Sequence, residues 1–434
     1  MRHLTAELPG TGGRLKATPE DFRVDEVPLW EPSGEGGHLL IRIRKRGMTT
    51  LEAVAQVARA LELPEREVGY AGIKDARAVA TQWLSLPLGR AERLAALRHP
   101  WLSIEERARH SHRLRPGDLA GNRFTIVLRG VDAEALPRAQ AILAVLTRRG
   151  VPNWFGAQRF GAKGDSDRIG RAFVRGDLGD ALQWFLGRPS PRENDPRVRA
   201  ARQAFDDGDP ARAAALFPPR LRLEAGVARA FAEQRDPLRA WLKVPRRLRL
   251  LFLSAWQSRL FNRCLEARFE ALDRLLDGDV VVRHETDKAY PVLDPAQDQP
   301  RADRFELSPA GPLFGPGLMR TRGAAAALEE ALFAAEGQAL DHGKQPFRDL
   351  HLRGERRAYR FPLRGATVAE GASADASPEP AITLSFELPR GCYATSVVAE
   401  VTKSTASGEE EAGEPANAAE DDSATAETGA PDAG

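Results

Sequence analysis

His38-Leu-Leu-Ile-Arg-Ile-Arg-Lys-Arg-Gly-Met-Thr-Thr-Leu-Glu52 changes its period in the middle. From His38 to Arg46, Leu39, Ile41 and Ile43 alternate with Leu40, Arg42 and Arg44, the two-residue repeat of a strand with one apolar and one largely basic face. Thr49-Thr-Leu-Glu52 then has the spacing of a capping box, and Leu51, Val54, Ala55, Ala58 and Leu61 follow at helical spacing. A strand that runs into a capped helix reads as mixed α/β.

The same reading extends outward. Val68-Gly-Tyr-Ala-Gly72 is a short strand entering a loop, and Gln82-Trp-Leu-Ser-Leu86 is another strand. Asn122 to Arg129 alternates, with Phe124, Ile126 and Leu128 on one face. Glu134 to Arg149 reads as a helix with Arg148 and Arg149 in its last turn and Gly150 as its cap. From Gly150 the texture changes to aromatic and Gly-rich, then to Ala- and Arg-rich helical segments. Leu248 to Leu276 carries an apolar stripe of Phe252, Trp256, Leu260, Cys264, Phe269 and Leu272, ended by Gly278. Val280 to Val292 and Asp303 to Leu307 read as short strands. Ala374 to Pro380 reads as a surface insertion, and Ile382 to Leu388 as a last strand.

The chain of 434 residues holds 63 Lys and Arg against 61 Asp and Glu, a formal net charge of +2. That balance hides an asymmetry. Ser404 to Gly434 carries nine acids, no Lys or Arg and no large apolar side chain, so it is expected to be disordered. Setting those nine aside leaves 52 acids against 63 bases, a body of +11 whose expected partner is a polyanion. With 55 arginines and eight lysines, the body suits phosphate contacts, for which Arg42, Arg44, Arg46, Arg113, Arg115, Arg123 and Arg159 are candidates. Most arginines in any such composition are simply solvated. No apolar run approaches the roughly 18 residues of a membrane span, and the N-terminus lacks a secretory pattern. Cys264 and Cys392 alone exclude a disulfide framework or a four-thiolate metal site, so a cytoplasmic protein is expected. His110-x-His112 would share a strand face but has no recognisable third ligand, and an RNA contact or surface role is expected instead of a metal.

Rigid polar chemistry sits in four Gly-rich patches: Leu15 to Val24, Gly69 to Trp83, Gly121-Asn-Arg-Phe124 with Asn153 to Gly161, and Leu388 to Ser396. Asp75 follows a strand and a glycine turn and is flanked by Lys74 and Arg77, cations that keep a carboxylate ionised as a nucleophile or base requires. Each residue alone has an ordinary reading. Asp75 would be a solvated turn aspartate, Lys16 a surface lysine, and Phe124 a core aromatic on the apolar face of its strand.

Taken in order, these stretches resemble the TruD family of tRNA pseudouridine synthases. The resemblance rests on Lys16-Ala-Thr-Pro-Glu-Asp-Phe-Arg-Val-Asp-Glu26, Glu31-Pro-Ser-Gly-Glu-Gly36 and Gly72-Ile-Lys-Asp-Ala-Arg-Ala78. It continues through Gly117-Asp-Leu-Ala-Gly-Asn-Arg-Phe124, Val151-Pro-Asn-Trp-Phe-Gly-Ala-Gln-Arg-Phe-Gly161 and Leu388 to Val398. It spans about Leu15 to Glu400 and is weakest over 164–247 and 294–353. The resemblance implies an α/β (α+β) pseudouridine synthase core with a mixed sheet, interrupted by an inserted TRUD-type α/β domain. The corresponding expectation is a core over 1–149 and 359–403, an insertion over 150–358 and a tail over 404–434. It implies isomerisation of a tRNA uridine, at position 13 of the D-arm, to pseudouridine. The family's essential aspartate falls on Asp75, its active-site lysine on Lys16, its Asn-x-Phe pair on Asn122 and Phe124, and its C-terminal aromatic on Tyr393. Phe124 and Tyr393 are expected to stack on the extruded uracil. Tyr393 stands where some members have Phe, and Ala399 where an Arg often follows. No metal or cofactor is implied, tRNA is the partner, and a monomer is expected.

Two other classes stay open on the sequence alone. A non-catalytic RNA-binding protein would share the basic surface without needing Asp75 and Lys16. A nucleotide-binding enzyme would use Gly10-Thr-Gly-Gly13, although the Gly-Lys-Ser/Thr ending of a phosphate loop is missing. Deleting Ser404 to Gly434 is expected to leave turnover intact and to tighten RNA binding at low salt, since an acidic tail competes with phosphate for basic side chains. Binding isotherms at low ionic strength check this, and unchanged affinity would leave the tail without that role.

Overall fold

The opening strand lies inside a nine-stranded sheet in a computed structural model of the chain, which describes residues 2–335, 350, 352–371 and 379–404. Two compact units are present, one formed by Met1–Asn153 with Phe361–Ala406 and the other by Trp154–Arg360. The sequence reading put these boundaries at Gly150 and Ala358. Residues 374–378 of the expected insertion and 405–434 of the expected acidic tail lie outside the described residues.

The first unit is built on strands β1 (Gly12–Arg14), β2 (Phe22–Pro28), β3 (His38–Arg46), β4 (Gly69–Tyr70), β5 (Val79–Pro87), β6 (Leu102–His110), β7 (Leu119–Val131), β8 (Arg364–Glu370) and β9 (Ala381–Pro389). Their order is β8-β9-β7-β2-β5-β3-β6, with β1 also on β7 and β4 also on β5. β2 and β5 are parallel and every other pair is antiparallel, so the sheet is mixed as expected. The C-terminal strand returns to pair with β7, one place in from the β8 edge. Its Ile382, Leu384, Phe386 and Leu388 are buried in strict alternation.

Helix α1 (Thr50–Leu61) starts at Thr49, whose hydroxyl accepts from the Glu52 N–H while the Glu52 carboxylate accepts from the Thr49 N–H. It covers the apolar face of β3: Ala53, Val54, Val57, Ala58 and Leu61 pack with Leu39, Ile41 and Ile43. Each fully buried Val or Leu contributes about 1.5–3 kcal/mol there. The stripe is rotated from the expected phase. Leu51 is 39% exposed and Val57 takes its place, because only residues over β3 lose their water. Helix α2 (Ala135–Arg149) ends at Gly150, whose φ of +86° suits glycine.

Gly10 to Gly13 is no phosphate cradle. Thr11 is buried with its N–H on the Val401 carbonyl, and Gly12 and Arg14 pair with Val131 and Arg129 in the sheet. His110 departs from the surface role expected of it. It is buried, its ring lies 5.0 Å from Trp30 and 4.4 Å from His112, and its Nδ1 accepts from the Ser33 N–H.

In the second unit the helix Arg246–Ala267 presents Phe252, Leu253, Trp256 and Leu260 to a core shared with Phe173, Phe185 and Trp241. It is shorter than its sequence stripe. The chain leaves the helix at Arg268, whose guanidinium is buried against Asp279, and Phe269 and Leu272 pack from the following turns. A four-stranded antiparallel sheet runs Ala289–Pro291, Val280–Arg283, Leu307–Leu313, Glu355–Ala358. The expected strand from Asp303 begins only at Leu307. Pro295–Asp303 is a helix capped by Asp294, whose carboxylate accepts from the Ala296 and Gln297 N–H groups.

Candidate active site

Asp75 and Lys16 are 59 residues apart in sequence and meet because β2 and β5 are parallel neighbours, with Arg23 opposite Val79. The segments that lead into the two strands therefore lie at the same end of the sheet. The Lys16 ammonium donates to Asp75 Oδ2 and sits 4.5 Å from the centroid of the Phe22 ring. Its backbone is left-handed, φ +56°, a conformation that costs a lysine of order 1 kcal/mol and persists where the surroundings over-determine it. The Lys16 side chain is 13% exposed and that of Asp75 is 40% exposed, so the carboxylate remains open to a ligand.

Asp75 Oδ1 accepts from the Arg77 N–H at 2.8 Å. Partial burial pushes the Asp75 carboxyl up. The hydrogen bond and charge of Lys16, the Arg77 N–H and the charge of Lys45 outweigh it and hold the group below its ordinary 3.8. Lys74, read from sequence as the neighbouring cation, has a different task. Its ammonium turns away and makes a buried ion pair with Glu26 Oε2 at 2.7 Å.

The loop that carries Asp75 is held through its backbone. The Ala71 carbonyl accepts from the Gly117 N–H, and the Gly72 carbonyl from Gln82 Nε2. Thr50 Oγ1 accepts from the Lys74 N–H and donates to Gln82 Oε1. From below, Lys45 Nζ donates to the carbonyls of Met48 (2.6 Å), Lys74 (3.3 Å) and Asp75 (2.8 Å). Lys45, Thr50, Gln82 and Glu26 were not singled out from sequence. For Lys45 a signal existed. It stands in phase with Leu39, Ile41 and Ile43, so an alternating strand puts its ammonium on the apolar face.

Asn122 stands between Glu26 of β2 and Leu388 of β9 in the register. Its Oδ1 is buried and accepts no hydrogen bond among the described residues. Gly121 beside it has no room for a Cβ, which would overlap the Leu388 carbonyl. Phe124 is buried, 6.0 Å from Phe22 and 5.6 Å from Phe386, so it backs the Phe22–Lys16 contact from within the core. Tyr393 is 49% exposed and precedes helix α3 (Ala394–Thr402). Its turn is tied to the Gly117–Gly121 segment: the Arg390 N–H donates to the Ala120 carbonyl and its guanidinium to the Gly117 carbonyl.

The arginine candidates divide. Arg42 is paired with Glu106 at 2.5 Å, Arg44 more loosely with Glu105 at 3.9 Å, and Arg123 with Glu387 at 2.6 Å. Arg46 pairs with Glu20 and lies 4.5 Å over the half-exposed Trp101 ring. Arg113 and Arg115 are exposed. Arg159 belongs to the other unit, where it donates to Ser254 and Ser258. The basic face read on β3 is thus largely countered by acids of β6. No group of three or more His, Cys, Asp or Glu with metal-binding geometry occurs among the described residues. None of their helices is long and apolar enough to cross a membrane.

Comparison with known proteins gives one family. The family model described as tRNA pseudouridine synthase D (TruD) matches residues 1–401. A tRNA pseudouridine synthase D of Geobacter metallireducens is 46% identical over 403 residues, 93% of this chain and 98% of that one. Its counterpart in Geobacter sulfurreducens is 44% identical over 413 residues, 94% and 98% of the two chains. A crystal structure of a putative tRNA pseudouridine synthase D from Methanosarcina mazei matches with a TM-score of 0.81 at 26% identity, over 93% of this chain and 96% of that one.

Proposed function

The chain belongs to the TruD family of tRNA pseudouridine synthases, and on that premise we propose that it isomerises uridine 13 of tRNA to pseudouridine with Asp75 as the essential carboxylate. The observation that carries the assignment is the Asp75–Lys16 pair, an oriented carboxylate that is ionised at neutral pH and still 40% exposed.

The reaction breaks the N1–C1′ bond, turns the uracil and joins C1′ to C5 of the same ring. A stacked uridine must first be extruded, at a cost of a few kcal/mol, and stacking on an aromatic returns about 1–3 kcal/mol. Tyr393 is the exposed face for that stacking, whereas Phe124, expected to stack as well, is buried between Phe22 and Phe386 and supports the Phe22 ring from the core. Asn122 is suited to hold a uracil carbonyl or the carboxylate through its amide donors. Asp75 then acts on the ribose. Attack at C1′ and abstraction of a ribose proton both need the ionised form that Lys16 maintains. The Lys16 ammonium also faces the negative charge of the departing uracil. A base finally removes the C5 proton. Arg44, Arg113 and Arg115 are the phosphate contacts of this reading, and the setting is the cytoplasm, where both free thiols stay reduced.

Release of tritium from 5-labelled uridine in tRNA measures the reaction. Pseudouridine mapping in RNA from a strain lacking the gene tests the position, and a pseudouridine that persists at position 13 would refute it. Lys16→Met is expected to slow turnover on the order of 10²-fold, as loss of one electrostatic contact at a reacting centre does. It also removes two of the forces that hold the Asp75 carboxyl low, so the acid limb of kcat/KM moves to higher pH. A variant profile superimposable on that of the parent would show that Lys16 does not set the ionisation of Asp75.

A further inference from the structure

Lys45 is the one lysine among the described residues with no solvent exposure at all. It comes from the end of β3, between β5 and the edge strand β6, and its strand partners Ala80 and Leu102 carry no charge. The charged groups that face it are Asp75 and Lys74 from the loop and Glu52 from α1. A protonated amine has three donors, and the three carbonyl oxygens of Met48, Lys74 and Asp75 take one each. Two of those carbonyls flank the Cα of the residue whose carboxylate does the chemistry.

We propose that Lys45 is the positioning residue of this site, fixing the direction of the Asp75 carboxylate through the carbonyls of Lys74 and Asp75. This rests on the reading of Asp75 as the essential carboxylate. Lys16 orients the side chain from the open side, and Lys45 pins the backbone from the closed side. Neither can replace the other, because one meets Oδ2 and the other meets only main-chain oxygens.

Burial pushes the Lys45 ammonium down from its ordinary 10.5 to about 8, with the Lys74 charge adding to it and the Asp75 and Glu52 charges opposing it. Above that pH the neutral amine keeps two donors and turns a lone pair toward a carbonyl oxygen, so one of the three hydrogen bonds becomes a repulsion. The site then loosens just above neutrality. Stability moves the other way. The unfolded chain still binds this proton between pH 8 and 10.5 while the folded chain does not, so the Lys45 contribution to stability rises over that interval. Deprotonation of Lys45 therefore does not by itself destabilise the fold in that interval.

The test uses the full chain and unmodified tRNA carrying 5-tritiated uridine. Single-turnover rates and tRNA dissociation constants are measured from pH 6.5 to 9.5 for the parent, Lys45→Met and Asp75→Asn. The parent rate should fall above pH about 8 with affinity constant within twofold. Lys45→Met should be on the order of 10²-fold slower at pH 7, the usual penalty of a misplaced reacting group, with affinity within threefold and no limb near pH 8. A Lys45→Met rate within threefold of the parent overturns the proposal. So does a limb that survives unchanged in Lys45→Met, since it then belongs to another group such as the uracil imide. If Lys45→Met does not fold, a parent rate flat from pH 7 to 9.5 overturns it and a limb near 8 supports it. Asp75→Asn separates the two readings. Parent-like turnover in that variant ends the assignment of Asp75 itself, whereas an inactive Asp75→Asn beside a fast Lys45→Met removes Lys45 alone.

Discussion

Asp75→Asn should bind tRNA as the parent does and release no tritium above background, a loss of more than about 10³-fold in turnover. The amide matches the carboxylate in size and can still accept the Arg77 N–H through its oxygen. It cannot serve as nucleophile or base, and it presents no anion to Lys16. Folding should hardly change. The carboxylate is 40% exposed, and a screened pair of that kind is worth under about 1 kcal/mol. Loss of tRNA affinity in step with loss of turnover would show that Asp75 holds the structure and not the chemistry.

The second large effect is on stability. Lys74→Met should destabilise the first unit by about 3–5 kcal/mol, because it leaves the Glu26 carboxylate uncompensated where its side chain is 1% exposed. For a unit of this size that lowers the melting temperature on the order of 10 °C. Adding Glu26→Gln should restore most of the loss. The amide oxygen can still accept the Trp83 N–H, which now meets Glu26 Oε1 at 3.1 Å, and no buried charge remains. Thermal unfolding of the two single variants and the double variant forms the cycle. A Lys74→Met melting point within a degree or two of the parent would mean that water reaches Glu26. Since Lys74 precedes Asp75, the single variant should also lose turnover, and the double variant should recover stability more fully than rate.

Several parts of this arrangement could be read before any coordinates. The capping box at Thr49 and Glu52 is a local pattern, and the structure holds it in full. The alternation in β3, β7 and β9 is likewise local and fixes which face of each strand turns inward. Other features were not legible for one reason, that their partners come from elsewhere in the chain. Arg42 and Arg123 read as candidate phosphate contacts, and each faces a carboxylate, Glu106 from β6 and Glu387 from β9. His110 read as an exposed group but is covered by Trp30, 80 residues earlier. Leu51 fits a helical stripe whose phase is decided by where β3 lies.

Sequence alone, through local periodicity and an ordered set of motifs, was enough to indicate strands, the capped helix, the family and a carboxylate at residue 75. Those are properties of neighbouring residues, set by side-chain repeat and turn chemistry. Tertiary structure alone decided that Lys16 rather than Lys74 pairs with that carboxylate, that Lys74 is spent on Glu26, and that Lys45 lies beneath the loop. Ion pairs and buried donors are chosen by distance and dielectric, and only the parallel alignment of β2 with β5 brings those groups within a few ångströms of one another.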